Sequence, residues 1–186
     1  MLEVKDLSVN YYTEGNTVKA VSGLSLTVAP GESLGVVGES GSGKSTVALA
    51  IMRLVSFPGK IVGGEISFHG RDLLKMTEKE MIAVRGAKIS MVFQDPFTSL
   101  NPVFTVGDQI AEAIELHQGL DRKRSWQKAI EMLELVQIKE PAKRIGDYPH
   151  QFSGGMRQRV MVAMALACQP ELLIAGEPTT ALYVTI

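Results

Sequence analysis

Apolar and polar positions change period several times along the chain, and each change predicts an element. Leu2, Val4 and Leu7 to Val9 partly alternate with polar residues in MLEVKDLSV, and Val18 to Val28 (VKAVSGLSLTV) does the same beyond a polar turn containing Gly15. Both runs are rich in β-formers, so they predict an antiparallel β lobe. Ile61 to Gly70 (IVGGEISFHG) adds a strand, with Arg71 and Asp72 leading away from it. Ser33 to Val37 (SLGVV), Ile89 to Phe93 (ISMVF) and Glu171 to Ala175 (ELLIA) are short apolar runs of the kind expected of buried strands. Val47 to Val55 (VALAIMRLV) is apolar on nearly all faces, as a buried helix is.

Helical signals dominate elsewhere. Thr77 followed by Glu80 forms a capping box and predicts a short helix near Glu78 to Val84, ended by Gly86. From Thr105, with Thr105 and Asp108 able to cap, Val106, Ile110, Ala113, Ile114 and His117 fall on one face. A second helix near Arg122 to Val136 turns Trp126, Ile130, Leu133 and Val136 inward. Asp147 to Phe152 reads as a loop, and Ser153 as the N-cap of a long apolar helix through Cys168. Residues 105 to 168 therefore predict an inserted helical lobe. The loop QDPFTSLNPVF before it is too apolar and too rich in proline for an ordinary solvent turn.

Composition narrows the function. With 186 residues there is room for one domain with a real core, or a core plus a small lobe. Lys and Arg number 19 against 20 Asp and Glu, so no overall basic field favours nucleic acid as a partner. No run approaches the roughly 20 apolar residues that span a bilayer, and the N-terminus lacks a signal-peptide core, so a soluble, cytosolic chain is expected. The single cysteine, Cys168, rules out a disulfide or zinc role within the chain and reads as packing. His69, His117 and His150 have no metal-binding spacing and read as surface or packing residues.

The strongest chemical signal is Gly38 to Thr46, GESGSGKST, which fits G-x-x-x-x-G-K-[ST] between a predicted strand and a predicted helix. Glycines at 38, 41 and 43 let successive N–H groups turn toward phosphate oxygens, and the helix that follows adds its positive end. Lys44 supplies a mobile charge for β- and γ-phosphates, and the Ser45 hydroxyl is placed to ligate Mg²⁺. Gly38, Glu39, Ser40, Gly41, Ser42, Gly43, Lys44, Ser45 and Thr46 are thus the candidate nucleotide-binding loop.

GESGSGKST, Gln94 after a predicted strand, FSGGMRQRV from Phe152 and LLIAGEPTTAL from Leu172 together resemble the ATP-binding subunit of ABC transporters. The run VFQDPFTSLNPVFTVGDQI resembles the ATPases of oligopeptide and dipeptide importers in particular. The resemblance implies an α/β P-loop NTPase fold with a mixed or parallel core sheet, an N-terminal antiparallel β lobe and an inserted helical lobe. It implies a single nucleotide-binding domain, with 1–94 and 169–186 as core and β lobe and 95–168 as the helical lobe. It implies ATP and Mg²⁺ as cofactors, and catalysis by Glu177, which polarises water for attack on the γ-phosphate, with Gln94 and Lys44. Gln94 joins Ser45 at the metal. Tyr11 is the expected adenine-stacking ring, with Tyr12 as the alternative and core packing open for either.

Ser153, Gly154, Gly155 and Gln158 are the implied signature, meeting ATP held by a second ATP-binding subunit in a head-to-tail homodimer or heterodimer. Simple capping of the helix is the plainer role for Ser153. Transmembrane permease subunits are the other implied partners, touched by the loop 94–104, and the chain is expected at the inner face of the cell membrane.

Three departures accompany the resemblance. Gly176 stands where the family carries an aspartate before the catalytic glutamate, and Tyr183 where a second aspartate is usual. The switch histidine and the C-terminal strands of the family fold would lie beyond Ile186, so an incomplete sheet and poor stability of the isolated chain are expected. The alternative implied is a degenerate module that binds ATP without efficient hydrolysis.

Overall fold

In the computed structural model, residues 1–93 and 99–176 are described. The chain forms two compact units, Met1–Met81 and Ile82–Ile186.

The first unit is built on an antiparallel sheet of β1 (Leu2–Thr13), β2 (Asn16–Val28), β3 (Gly59–Phe68) and β4 (Arg71–Asp72), in the order β2-β1-β3-β4. β1 and β2 form the expected hairpin. In β1, Leu2 and Val4 alternate inward, the phase then slips by one residue, and Leu7 and Val9 alternate inward again. A slip of one residue sends every later side chain to the wrong face unless the backbone absorbs it. It is absorbed at Asp6, which has φ 48, with register shifts against both β2 and β3 nearby. Gly64 of β3 faces this bulge at φ 95, where an added Cβ would stand 2.6 Å from the Lys5 carbonyl oxygen. The ladder donors freed there are taken by hydroxyls: Asp6 N–H donates to Ser25 Oγ (2.9 Å) and Gly23 N–H to Ser8 Oγ (3.0 Å).

Helix α1 (Lys44–Ile51) buries Val47, Ala50 and Ile51 and packs beside β2. It ends at Ile51, earlier than the apolar run predicts. Ser33 to Val37 is a correction: no strand forms there, and Leu34, Val36 and Val37 are exposed, Val37 at 94%. A strand requires a ladder neighbour, and among the described residues none pairs with this run. Helix α2 (Glu78–Val84) begins with the expected capping box, Thr77 N–H donating to Glu80 Oε2 (2.8 Å) and Glu80 N–H to Thr77 Oγ1 (3.3 Å).

The second unit holds β5 (Ile89–Val92) and β6 (Leu172–Ala175), paired in parallel with Val92 opposite Ala175. β5 is largely buried, but in β6 only Leu172 is, whereas a fully buried strand was expected. Among the described residues, three further helices and two helical turns follow the loop: α3 (Val106–Gln118), α4 (Arg122–Leu135), the turn α5 (Pro141–Arg144), a 3₁₀ turn (Pro149–Gln151) and α6 (Gly154–Leu166). Val106, Ile110, Ile114, Leu133, Ile138, Ile145, Phe152, Val160 and Ala163 form one core cluster among them. Each valine, leucine, isoleucine or phenylalanine among them stabilises by about 1.5–3 kcal/mol on burial.

The inward face of α4 differs from expectation. Ser125, Ala129 and Leu133 are buried, while Trp126, Ile130 and Val136 are half-buried at the cluster's margin. Small residues at 125 and 129 allow close approach of the helices, and the larger neighbours then close the seam from its sides.

Candidate functional site

Loop 38–46 is held from both ends. Glu39 and Ser42 close a turn, Ser42 N–H donating to Glu39 O at 3.2 Å. Gly43 is the N-cap of α1 at φ 91, and a Cβ there would run into the Ala20 carbonyl oxygen of β2. Only glycine meets both conditions. The Lys44 ammonium folds over the loop, donating to Gly38 O (2.6 Å), Glu39 O (2.8 Å) and Ser42 Oγ (3.4 Å). Ser45 and the tip residues Glu39, Ser40 and Gly41 are exposed, and Thr46 is half-buried.

The electrostatics of this loop point one way. Helix α1 has no side-chain cap and no acidic residue in its first turn, so the helix itself supplies no carboxylate to its orphan N–H groups. Lys44 also puts a cation at the positive end of the helix dipole, an unfavourable placement of about 0.3–1 kcal/mol. An anion at this end would relieve both.

Tyr11 lies on β1 with Val18 on one side and Gly59 on the other. Its ring is packed against Gly59, where an added Cβ would stand 2.7 Å from Cε1, and it is half-buried. Tyr12 is more exposed, at 47%.

In the second unit, β5 and β6 run side by side in the same direction toward Gln94 and Glu177, which lie outside the described residues, as does Tyr183. Gly176 is the last described residue, its N–H donating to Val92 O at 3.0 Å, so it brings no carboxylate to the end of β6. Ser153 caps α6 by accepting from Met156 N–H (3.4 Å) and is itself exposed. Gly154 has open space where a Cβ would stand, with nothing within 4 Å. Gln158 is buried on the same helix.

Among the described residues no group of His, Cys, Asp and Glu could hold a metal ion. His69 packs edge-on against Phe68, His150 stacks on Tyr148, and His117 is half-buried beside Gly86, where burial lowers its pKa. The Cys168 thiol donates to Ala113 O (3.4 Å), and burial raises its pKa. His69 and His150 are exposed, and His117 and Cys168 are partly buried, within the surface-or-packing reading of the histidines and the packing reading of Cys168.

A family model described as ABC transporter matches residues 21–180. The chain belongs to the ABC transporter family. Among curated relatives of this ABC transporter chain, the "Probable peptide ABC transporter ATP-binding protein y4tR" of Sinorhizobium fredii is 56% identical over all of this chain and 56% of its own length. The dipeptide transport ATP-binding protein DppD of Escherichia coli is 53% identical over all of this chain and 57% of its own. The oligopeptide transport ATP-binding protein OppD of Bacillus subtilis is 54% identical over all of this chain and 52% of its own. The chain therefore spans about half the length of the curated relatives it matches. A solved ATP-binding cassette, a dimer in a post-hydrolysis state with ADP and Pi bound, matches at a TM-score of 0.87 and 29% identity, over 98% of this chain and 76% of that one. The fold is that of an ABC ATPase cassette.

Two side chains of the ABC transporter chain escape a reading by motif. Gln109 of α3 grips the loop before it, accepting from Asn101 N–H (2.8 Å) and donating to Asn101 O (3.0 Å) and Phe104 O (3.1 Å). Arg144 does the same for the segment before α6. Gln109 lies in the run that resembles the peptide importers, but neither residue lies in a periodic pattern or a phosphate-binding string, and the backbone groups that they bond leave no trace in side-chain identity.

Proposed function

We propose that loop 38–46 binds the phosphates of ATP, and that the chain serves as the ATP-binding and ATP-hydrolysing part of an importer for oligopeptides or dipeptides. The observation that carries this is the Lys44 ammonium poised over a loop that opens on an uncapped helix start. The names of the relatives support peptide import. Lys44 neutralises charge on β- and γ-phosphates, and the loop amides orient them. Mg²⁺ fits the exposed Ser45 hydroxyl in the first turn of α1, and when bound it supplies charge neutralisation at the phosphates. Gln94 and Glu177 complete the chemistry in this proposal, Glu177 as the base for water. Tyr11 offers the exposed part of its ring to adenine.

The domain assignment proposed is one nucleotide-binding domain, with 1–94 and 169–186 as core and 95–168 as helical lobe. Ser153, Gly154, Gly155 and Gln158 form the part that meets nucleotide on a second ATP-binding subunit. The absence of any packing need for a glycine at 154 supports an approach from outside. Permease subunits are the membrane partners, with the chain peripheral at the cytoplasmic face. No helix among the described residues is long and apolar enough to cross a membrane.

Lys44→Ala is the direct test. Titration calorimetry is expected to show ATP binding lost in a variant that keeps its circular dichroism spectrum and melting point. Unchanged affinity in that folded variant overturns the phosphate-binding assignment.

A further inference from the structure

The segment between α5 and α6 lacks a strand ladder; backbone turns close part of it, and arginine and glutamine side chains take the amide of Tyr148 and the carbonyls of Pro149, Gln151 and Phe152. Arg144, the last residue of α5, reaches the largest number of different groups. Its Nε donates to Asp147 Oδ2 (3.0 Å), its Nη2 to the Gln151 carbonyl (3.0 Å), and its Nη1 lies 3.8 Å from Met156 Sδ. The guanidinium carbon sits 4.4 Å from the centre of the Phe152 ring, itself 2% exposed. One planar group therefore touches residues on both sides of Ser153. From the other side Arg157 Nε donates to the carbonyls of Pro149 (2.8 Å) and Phe152 (3.0 Å). The segment is also tied to the start of α3, Val106 N–H donating to Asp147 O (3.0 Å) and Gly107 N–H to Ile145 O (2.9 Å).

The outward side contrasts with this. Ser153 is exposed, and Gly154 has open space over it. We propose that Arg144 is a positioning residue for Ser153, Gly154 and Gly155: it fixes the angle at which they meet nucleotide held by a second ATP-binding subunit. This rests on the reading of that segment given above. The fork matters because one side chain must reach a carboxylate, a carbonyl and an aromatic face in different directions. An ammonium on a flexible stem cannot hold all three at once.

Arg144→Lys keeps the charge and removes the fork, and Ser153→Ala removes the group positioned. Four proteins are compared: wild type, each single variant and the double variant. Affinity for Mg²⁺ with the non-hydrolysable analogue AMP-PNP is read by calorimetry, and nucleotide-driven association of ATP-binding subunits by sedimentation velocity. Amide exchange over 148–156 is followed by mass spectrometry.

For Arg144→Lys, affinity for the analogue is expected to stay within about twofold, and association to weaken about tenfold. Exchange over 148–156 is expected to rise while that of α4 does not. In the Ser153→Ala background, Arg144→Lys is expected to add little, because it acts through the residue already lost. If Ser153→Ala leaves association unchanged, the reading of the segment falls. If Ser153→Ala weakens association while Arg144→Lys leaves it intact, or adds its full effect in the double variant, the positioning proposal falls. Should Arg144→Lys not fold, Asp147→Asn weakens the Nε contact alone and carries the same comparison with a smaller effect.

Discussion

Two glycines at the candidate site are small for opposite reasons, and a methyl group separates them. At Gly43 the backbone is left-handed and the Ala20 carbonyl blocks a Cβ, so Gly43→Ala is expected to destabilise by about 2 kcal/mol or more and to weaken nucleotide binding. At Gly154 the helix is open, and alanine is the better helix former by about 1 kcal/mol. Gly154→Ala is therefore expected to melt at the same temperature or higher, yet to associate less well with a second ATP-binding subunit. Melting curves and sedimentation separate the two. A Gly154→Ala protein that associates normally counts against approach from outside. The candidate nucleotide loop was legible because its requirements lie in nine consecutive residues. Arg144 was not, because its partners are a carboxylate, a single carbonyl, a thioether and an aromatic face spread from Asp147 to Met156, with no shared spacing.

Among the elements, helix starts were the most readable, since a capping signal is local. Thr77 with Glu80 and Thr105 with Asp108 both form as their spacing predicts. The second is reinforced by Arg122 of α4, which pairs with Asp108 and with Glu115 at 3.2 Å, spanning most of α3. The Thr105 hydroxyl first, and then Arg122, hold the Asp108 carboxyl below the usual carboxylate range. A depressed folded-state pKa adds stability above the unfolded value, and that stability is lost as pH falls through the folded one. Asp108→Asn is thus expected to destabilise at neutral pH, with the gap to wild type closing as acid protonates Asp108. Urea titrations at pH 7 and pH 3 check this, and a gap independent of pH contradicts it. Strands were less readable than caps. Ser33 to Val37 has the composition of a buried strand, but pairing is a property of two segments, and burial of β6 likewise depends on neighbours on both edges.

At the scale of the whole molecule, the proposed permease partner needs a surface on which to dock. Val103 and Phe104 are exposed at 71% and 51%, on a loop that Gln109 and an Asn101 turn hold in one shape. Exposed apolar groups on a braced loop are suited to docking, since little freedom remains to be lost on contact. With Cys168 replaced by serine, a cysteine at Val103 is expected to cross-link to the cytoplasmic loops of co-produced permease subunits. Absence of a cross-link at 99, 103 and 104 alike assigns the loop to the chain's own packing. The family could be read from four short strings. The inward face of α4 could not, because Trp126 and Ile130 outweigh Ser125 and Ala129 in any hydrophobic count while the smaller pair sets how closely the helices approach.

The crease across the β lobe also bears on how the sheet moves. Where β1 slips register at Asp6, two amides in mid-strand rest on serine hydroxyls, while those at Glu3 and Tyr11 lie within the regular ladder. A hydroxyl on an exposed or half-exposed serine rotates away more readily than a ladder carbonyl. Protection from solvent hydrogen exchange is thus expected to dip at Asp6 and Gly23 and recover on both sides, opposite to the fraying of an ordinary hairpin. A dip there with protected flanks is expected of a lobe that hinges about its middle, the half that carries Tyr11 tilting relative to the half that begins with Leu2.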